Sequence, residues 1–364
     1  MSAPRLGIAG LGLMGRVHAR NAVDVGGKVV AGVDVADSAR TEFESEFDVP
    51  TYEDVGTLLA EETLDGLVIT APNRYHEPMA VQALDEGCHV LVEKPLAHSL
   101  ESAERIAEAA GRSSAFCMVG FHSRFSPAAK ATRAYRDAGK FGDISHVEAT
   151  YVRRRGIPSP GSWFTSGELS GGGSLIDVGV HVVDLSMHLL DFPEVSEVTG
   201  VARTNFGPRD DYADPDGFSA DWDASNDRFD VDDSVSALVR FENGASLSLE
   251  VAWATNRPPA NELVVRGTEA GAQFELEGEV VELYESSNLG VDHYVTSELD
   301  ARGGPDGHVA EMDHFVGAVA SDTPPSMNTV EQGLAVQQVI DAIYRSSESG
   351  EAAEVGGRPE NERY

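Results

Sequence analysis

Three groups of residues have types and spacings suited to chemistry. The first is Gly10-Leu11-Gly12-Leu13-Met14-Gly15, which follows a short apolar run at 5–9 and precedes Asp34 by 19 residues. In a strand–turn–helix context Gly10 permits the tight turn. Gly12 lets a pyrophosphate approach the backbone, and Gly15 lets helix and strand pack closely. The N-terminus of the helix that follows then offers N–H groups to phosphates, and Leu13 and Met14 of the turn are expected to join the cofactor site. Asp34, ending the apolar run 29–34, is placed to accept a ribose 2′-hydroxyl. The pattern predicts nucleotide binding; the alternative is a structural glycine turn. A carboxylate at 34 repels a 2′-phosphate, which favours NAD over NADP, although Arg40 could reach back.

The second group stands where strands are expected to end: Ala71, Pro72, Asn73 and His76 after the run 67–70, and Glu93-Lys94-Pro95 after 89–92. In α/β sheets ligands lie at the carboxyl ends of strands. The Lys94 ammonium could donate to a substrate hydroxyl, against the alternative of a solvated surface lysine. The third group is Asp177, His181, Asp184 and His188, spaced 4, 3 and 4 along an apolar helical stretch at 174–190. This spacing makes one polar seam, costly to bury without purpose. His181 can accept a proton near neutral pH, and a carboxylate one turn away can orient it or share a substrate hydroxyl. A metal site is the rival reading, but no other obvious ligand set accompanies these residues. Asp184 and His188 read as helix-face hydrogen bonding.

The elements that must position these groups alternate in the first third. Strands at 5–9, 29–34, 67–70, 89–92 and 116–120 are separated by helices at about 16–25, 78–86 and 99–110, the last capped by Ser99. After about Phe125 the pattern changes. A strand at 147–155 would place Arg153 and Arg155 on one face, and Ser170-Gly171-Gly172-Gly173 leads into the helix with the polar seam. Strands follow at 198–203, 234–241, 245–253, 262–267, 272–276 and 280–284, with Asn243-Gly244 as a hairpin turn. Short connections between consecutive strands imply a largely antiparallel sheet. Helices return at 308–320 and 330–348, and the tail 350–364 reads as frayed. The expected division is 1–125 and 126–349. An acidic insert at 207–233 carries ten Asp and two basic residues. Its Asp221, Asp223, Ser225, Asp227 and Asp232 partly echo a calcium loop. However, Asn226 replaces the turn glycine and the closing Glu is missing, so a solvated acidic loop is the better reading.

Composition bounds the function. The chain has 364 residues, 41% of them hydrophobic, enough for two cored domains rather than a disordered chain. With 61 acidic and 27 basic residues its formal charge is −34. That excludes coating of nucleic acid and disfavours an anionic membrane surface. No run of about 20 apolar residues is expected to span a membrane, and the N-terminus lacks a signal-peptide pattern. Cys88 and Cys117 sit in apolar strand-like contexts, as in a reducing cytoplasm.

GLGLMG with Asp34, the APNRYH segment at 71–76, EKP at 93–95 and GGGSLIDVGVHVVDL at 171–185 together resemble the glucose–fructose oxidoreductase / inositol dehydrogenase family (Gfo/Idh/MocA). The resemblance runs from Leu6 to about Ser347. It implies an N-terminal Rossmann domain and a C-terminal open-faced, mostly antiparallel sheet domain, with the site between them and the sheet face mediating a dimer or tetramer. It implies a cis Lys94–Pro95 peptide. By resemblance Lys94 hydrogen-bonds the reacting hydroxyl, Asp177 positions substrate, and His181 is the general base. Asn73, His76, Glu93 and Pro95 would line the ribose–nicotinamide end, and His18 is structural. The implied cofactor is NAD, with NADP possible, and the implied substrate a sugar, sugar derivative or inositol. Arg153 could donate to its hydroxyls and Trp163 could stack on its ring; surface cations and a core tryptophan are the alternative. A same-fold enzyme acting on a dihydrodiol or nucleotide-linked sugar, and a non-catalytic NAD-binding sensor, are the competing readings. A sensor would have no use for Lys94, Asp177 and His181 together.

Only four of the basic residues are lysines (Lys28, Lys94, Lys130 and Lys140). A charge this far from zero destabilises a compact state by self-repulsion, which salt relieves because the Debye length is about 3 Å at 1 M. The expectation is a protein of a high-salt cytoplasm. Circular dichroism should show the fold lost on dilution from molar KCl into dilute buffer; a stable fold in dilute buffer would refute this.

Overall fold

The computed structural model describes residues 3–159, 161–209, 211–215 and 229–355. It divides into two units, Met1–Phe125 with Pro305–Gln337, and Ser126–Gly304 with Gln338–Tyr364. The division falls inside the helix Val330–Ser349. The continuous second segment expected from sequence is thus interrupted by Pro305–Gln337.

The first unit holds six strands: β1 Arg5–Ala9, β2 Lys28–Val33, β3 Thr51–Tyr52, β4 Gly66–Ile69, β5 His89–Glu93 and β6 Cys117–Gly120. They form one parallel sheet in the order β3-β2-β1-β4-β5-β6. Gly66, Leu67, Val68 and Ile69 are all buried, as expected where helices cover both faces of a sheet. The order reverses between β1 and β4, and a crevice at that switch point, beyond the strand ends, is where such sheets bind ligands. Helix Leu100–Arg112 begins at Ser99, whose hydroxyl accepts from Ser102 N. The returning helix Gly307–Ser321 completes the core. Its Met312, Phe315, Val316 and Val319 pack with Leu6, Ile8, Phe116 and Met118. The Phe315 ring meets Phe116 edge-on at 6.1 Å.

The second unit holds β7 Ile144–Val152, β8 Val195–Arg203, β9 Ser234–Phe241, β10 Ser246–Ala252, β11 Ala260–Gly267, β12 Ala270–Glu275, β13 Val280–Ser287 and β14 His293–Asp300. Their order is β14-β13-β12-β11-β7-β10-β9-β8. Only β7 with β10 pairs in parallel; the other pairs are antiparallel. Gly244, at φ +86°, makes the β9–β10 turn where Asn243-Gly244 places it. Leu247, Leu249 and Val251 of β10 are buried while Ser246, Ser248 and Glu250 are half-buried, the alternation of a sheet covered on one face. β14 has no buried residue, so no apolar alternation announces it in the sequence.

Helix Val180–Leu190 packs on β7 and β10, preceded by a π-helical turn at Leu175–Gly179 where a plain α-helix was expected. The stretch Gly167–Leu190, 24 residues, is long and apolar enough to cross a membrane, contrary to the sequence expectation; 89% of its apolar window is buried inside the protein, as in a core helix. β7 stops at Val152, so Arg153, Arg154 and Arg155 lie beyond the strand and share no strand face. The tail is ordered further than expected: Ala353 and Val198 exchange backbone hydrogen bonds of 2.8 and 2.9 Å. Asp221, Asp223, Ser225, Asn226 and Asp227 of the calcium-loop echo lie outside the described residues, as does 356–364 of the tail.

Truncating a fully buried aromatic removes its transfer energy and leaves a cavity. Phe315→Ala should cost about 3–5 kcal/mol in urea unfolding. A cost below about 1 kcal/mol would show that helix Gly307–Ser321 is not integral to this core.

Candidate functional site

In the first unit the glycine turn is built by close approach. Gly10 has φ +91°, and a Cβ there would lie 2.7 Å from Ala71 N. A Cβ on Gly15 would lie 1.9 Å from Gly10 O. Thr70 Oγ1 donates to Gly10 O at 2.6 Å, tying the two strand ends together. Gly12 differs. Its φ is an ordinary −69°, and a Cβ there meets nothing within 4 Å. The protein's own packing therefore does not require glycine at 12, whereas close approach of a bound group to the backbone would. Helix Leu13–Asp24 has no side-chain cap and no acid in its first turn, and Leu13 is exposed. Its leading N–H groups suit an anion. These residues fit a dinucleotide pyrophosphate.

Asp34 accepts from Leu11 N and Ala36 N, each at 2.8 Å, one on each carboxylate oxygen. Arg40 does reach back, but to main-chain oxygens: Nη1 donates to Asp34 O at 2.8 Å and Val35 O at 3.2 Å, and Nη2 to Asp37 and Glu53. Ala71 and Asn73 are buried and Pro72 is half-buried at the end of β4. His76 is 1% exposed, with Nε2 2.8 Å from Ala71 O and Nδ1 3.0 Å from Pro95 O. Burial lowers its pKa against the pull of these carbonyls. Its ring thus braces the segment after β4 against the segment after β5. The Lys94–Pro95 peptide is cis. Glu93 accepts from Lys94 N at 3.0 Å, and its other oxygen lies 2.6 Å from Nε2 of the fully buried His18. Burial would raise the Glu93 carboxyl. The His18 hydrogen bond and charge, with Lys94 and His122, outweigh that and hold it at about 2. His18 therefore anchors the EKP carboxylate, a specific contact that sequence reasoning did not foresee.

In the second unit every residue of 174–190 is buried except Asp177, which is half-buried. Asp184 is 0% and His181 8% exposed. Asp177 Oδ2 accepts from the indole Nε1 of Trp253 at 2.9 Å. Trp253 is fully buried at the end of β10, and nothing in its sequence context distinguished it from a core tryptophan. Trp163 is half-buried and stacks on Phe164 at 3.8 Å. Arg153 donates to Gly156 O at 3.2 Å and lies over the Tyr151 ring. Arg155 donates to Ala213 O, Arg154 O, Thr255 O and Asn256. Among the described residues no cluster of three or more His, Cys, Asp or Glu could hold a metal ion.

Parallel sheet, glycine turn and acid together define a dinucleotide-binding domain. Residues 4–121 match the model of an oxidoreductase family with an NAD-binding Rossmann fold, and residues 129–273 match the GFO/IDH/MocA C-terminal domain. D-glucoside 3-dehydrogenase of Escherichia coli (strain K12) is 30% identical over 308 residues, 84% of this chain and 83% of that protein. D-xylose 1-dehydrogenase (NADP(+)) 2 of Haloferax volcanii is 26% identical over 355 residues, 96% of this chain and 98% of that protein. The structure of levoglucosan dehydrogenase in complex with NADH and levoglucosan has the same fold, with a TM-score of 0.85 at 23% identity, covering 98% of this chain and all of that one. The chain belongs to the Gfo/Idh/MocA oxidoreductase family and is an NAD(P)-dependent enzyme.

Gly12 and Gly15 separate binding from folding. Gly12→Ala should leave the unfolding midpoint unchanged while weakening NADH binding about tenfold or more, equivalent to ~1.4 kcal/mol. Gly15→Ala, forcing a Cβ against Gly10 O, should lose both stability and binding. Unchanged NADH affinity in Gly12→Ala, read by fluorescence titration, would remove Gly12 from the phosphate site.

Proposed function

We propose that the enzyme transfers a hydride between nicotinamide and a secondary hydroxyl or carbonyl of a sugar, sugar derivative or inositol. The observation that carries the reading is Asp177. It alone in the stretch 174–190 is half-buried, its carboxylate is held by Trp253, and His181 follows four residues on. Support for the substrate class comes from the relatives, named for a glucoside and for xylose.

When bound, the dinucleotide supplies the hydride acceptor at nicotinamide C4, or the donor in reverse. Gly10, Gly12, Leu13, Met14 and Gly15 take the pyrophosphate and Asp34 the ribose. Ala71, Pro72 and Asn73 take the nicotinamide end, braced by His76 and Glu93. The Asp34 carboxylate favours NAD, since Arg40 is already engaged by four acceptors. Lys94 donates a hydrogen bond to the reacting oxygen, Asp177 orients the substrate, and His181 takes the hydroxyl proton. The chain must supply that base, because a carbinol yields hydride readily only as its O–H proton leaves. Arg153 and Trp163 contact the remaining hydroxyls and ring. The charge of −34 supports function in a high-salt cytoplasm, and the half-covered sheet of the second unit supports a dimer or tetramer.

The test is nicotinamide absorbance in molar KCl, with NAD and NADP, across aldoses, inositols and glycosides. Turnover with a member of the panel is expected, with NAD preferred. With that substrate His181→Ala should lose turnover about 10²–10⁴-fold at little change in NADH affinity. Unchanged turnover would remove His181 from the base role.

A further inference from the structure

We propose that Asp232 is a positioning residue for this reaction, acting through Gly173 on Asp177. The inference rests on the reading that Asp177 and His181 work on the substrate. Asp232 lies two residues before β9, at the end of the acidic insert, and is 6% exposed. Four donors meet its carboxylate. Oδ1 accepts from Gly173 N at 2.8 Å and from the Tyr344 hydroxyl at 2.6 Å. Oδ2 accepts from Ser174 Oγ at 2.7 Å and from Leu175 N at 3.0 Å. Burial and the Asp232 charge push the Tyr344 phenol well up, so it remains a donor. An acceptor-only carboxylate matches this set of donors.

The segment reaches Asp177 by two routes. Gly173, held by Asp232, accepts from Asp177 N at 3.0 Å through its own carbonyl. Asp233 O accepts from Trp253 N at 2.9 Å, and the Trp253 indole donates to Asp177 Oδ2. One dipeptide thus holds the backbone of Asp177 on one side and its carboxylate on the other. The same closeness explains the glycine block. A Cβ on Gly173 would lie 1.8 Å from Asp232 O, and one on Gly172 would lie 2.2 Å from the Tyr344 hydroxyl. The two glycines let the Asp232 main chain and the Tyr344 phenol approach the start of the helix.

Asp232→Asn keeps the shape but turns an NH2 towards two of the four donors. The start of the helix should shift, and a displacement of about 1 Å can cost on the order of 10²-fold in rate. The experiment measures kcat per NADH-binding site, well below the unfolding midpoint, with the substrate found in the panel above. Asp232→Asn should lower kcat about tenfold to a hundredfold with the NADH dissociation constant unchanged. Tyr344→Phe removes one donor of four and should lower kcat by about threefold, again without effect on NADH. A merely structural role would lower the midpoint and leave kcat per binding site intact; that result overturns the proposal. If Asp232→Asn does not fold, Tyr344→Phe decides, and an unchanged kcat there overturns it. His181→Ala runs alongside. Loss of turnover in His181→Ala with full turnover in both other variants refutes the role of Asp232 alone. Full turnover in His181→Ala refutes the assignment of the base as well.

Discussion

Burial makes an unpaired polar group costly all along the stretch 173–190. Asp184 is inaccessible and His181 and His188 nearly so, and an unpaired buried charge or imidazole would cost several kcal/mol. Much of the second unit answers that constraint. β10 brings up the Trp253 indole for Asp177. The residues before β9 bring up Asp232 for the first N–H groups of the helix. Helix Val330–Ser349 adds the Tyr344 hydroxyl. Gly172 and Gly173 make room for these approaches, and the π-turn at Leu175–Gly179 lets the chain pass from that clamp into the α-helix. π-turns of this kind recur at functional sites.

The first unit solves a different problem, that of presenting backbone to a ligand. Its sheet is closed on both faces, so chemistry is confined to the strand ends. There the side chains serve mostly to hold backbone. Asp34 fixes Leu11 N, His76 braces Ala71 against Pro95, and Glu93 fixes Lys94 N while anchored on His18. Rigid first contacts backed by a second layer of buried polar partners are what keep such a site in geometry. His76 illustrates the distinction: with both ring nitrogens on main-chain carbonyls, it contributes by holding rather than by reacting.

Much of this was legible in the sequence because it is written in local patterns. GLGLMG with Asp34 needs only a strand, a turn and a helix, all short-range. The polar seam at Asp177, His181, Asp184 and His188 is a helical period. Asn243-Gly244 is a two-residue turn. Boundaries that depend on pairing were less legible. β7 ends at Val152, its last pair with both β10 and β11, so Arg153 and Arg155 share no strand face. β14 pairs only with β13 and buries nothing. Helix Gly307–Ser321 returns to the first core because Phe315 fits against Phe116, a match between residues almost 200 positions apart.

By itself, the sequence determined the class of chemistry: a glycine turn and an acid for a dinucleotide, a lysine at a strand end, and a histidine and carboxylate one turn apart. Those residues act through properties of their own side chains and near neighbours, so order along the chain is enough to find them. Tertiary structure alone decided what holds them. Trp253 with Asp177, Asp232 with Gly173 and Tyr344, and His18 with Glu93 join residues 59 to 112 positions apart. No local periodicity records such pairs, because a buried hydrogen bond depends on which strands and helices the whole fold brings side by side.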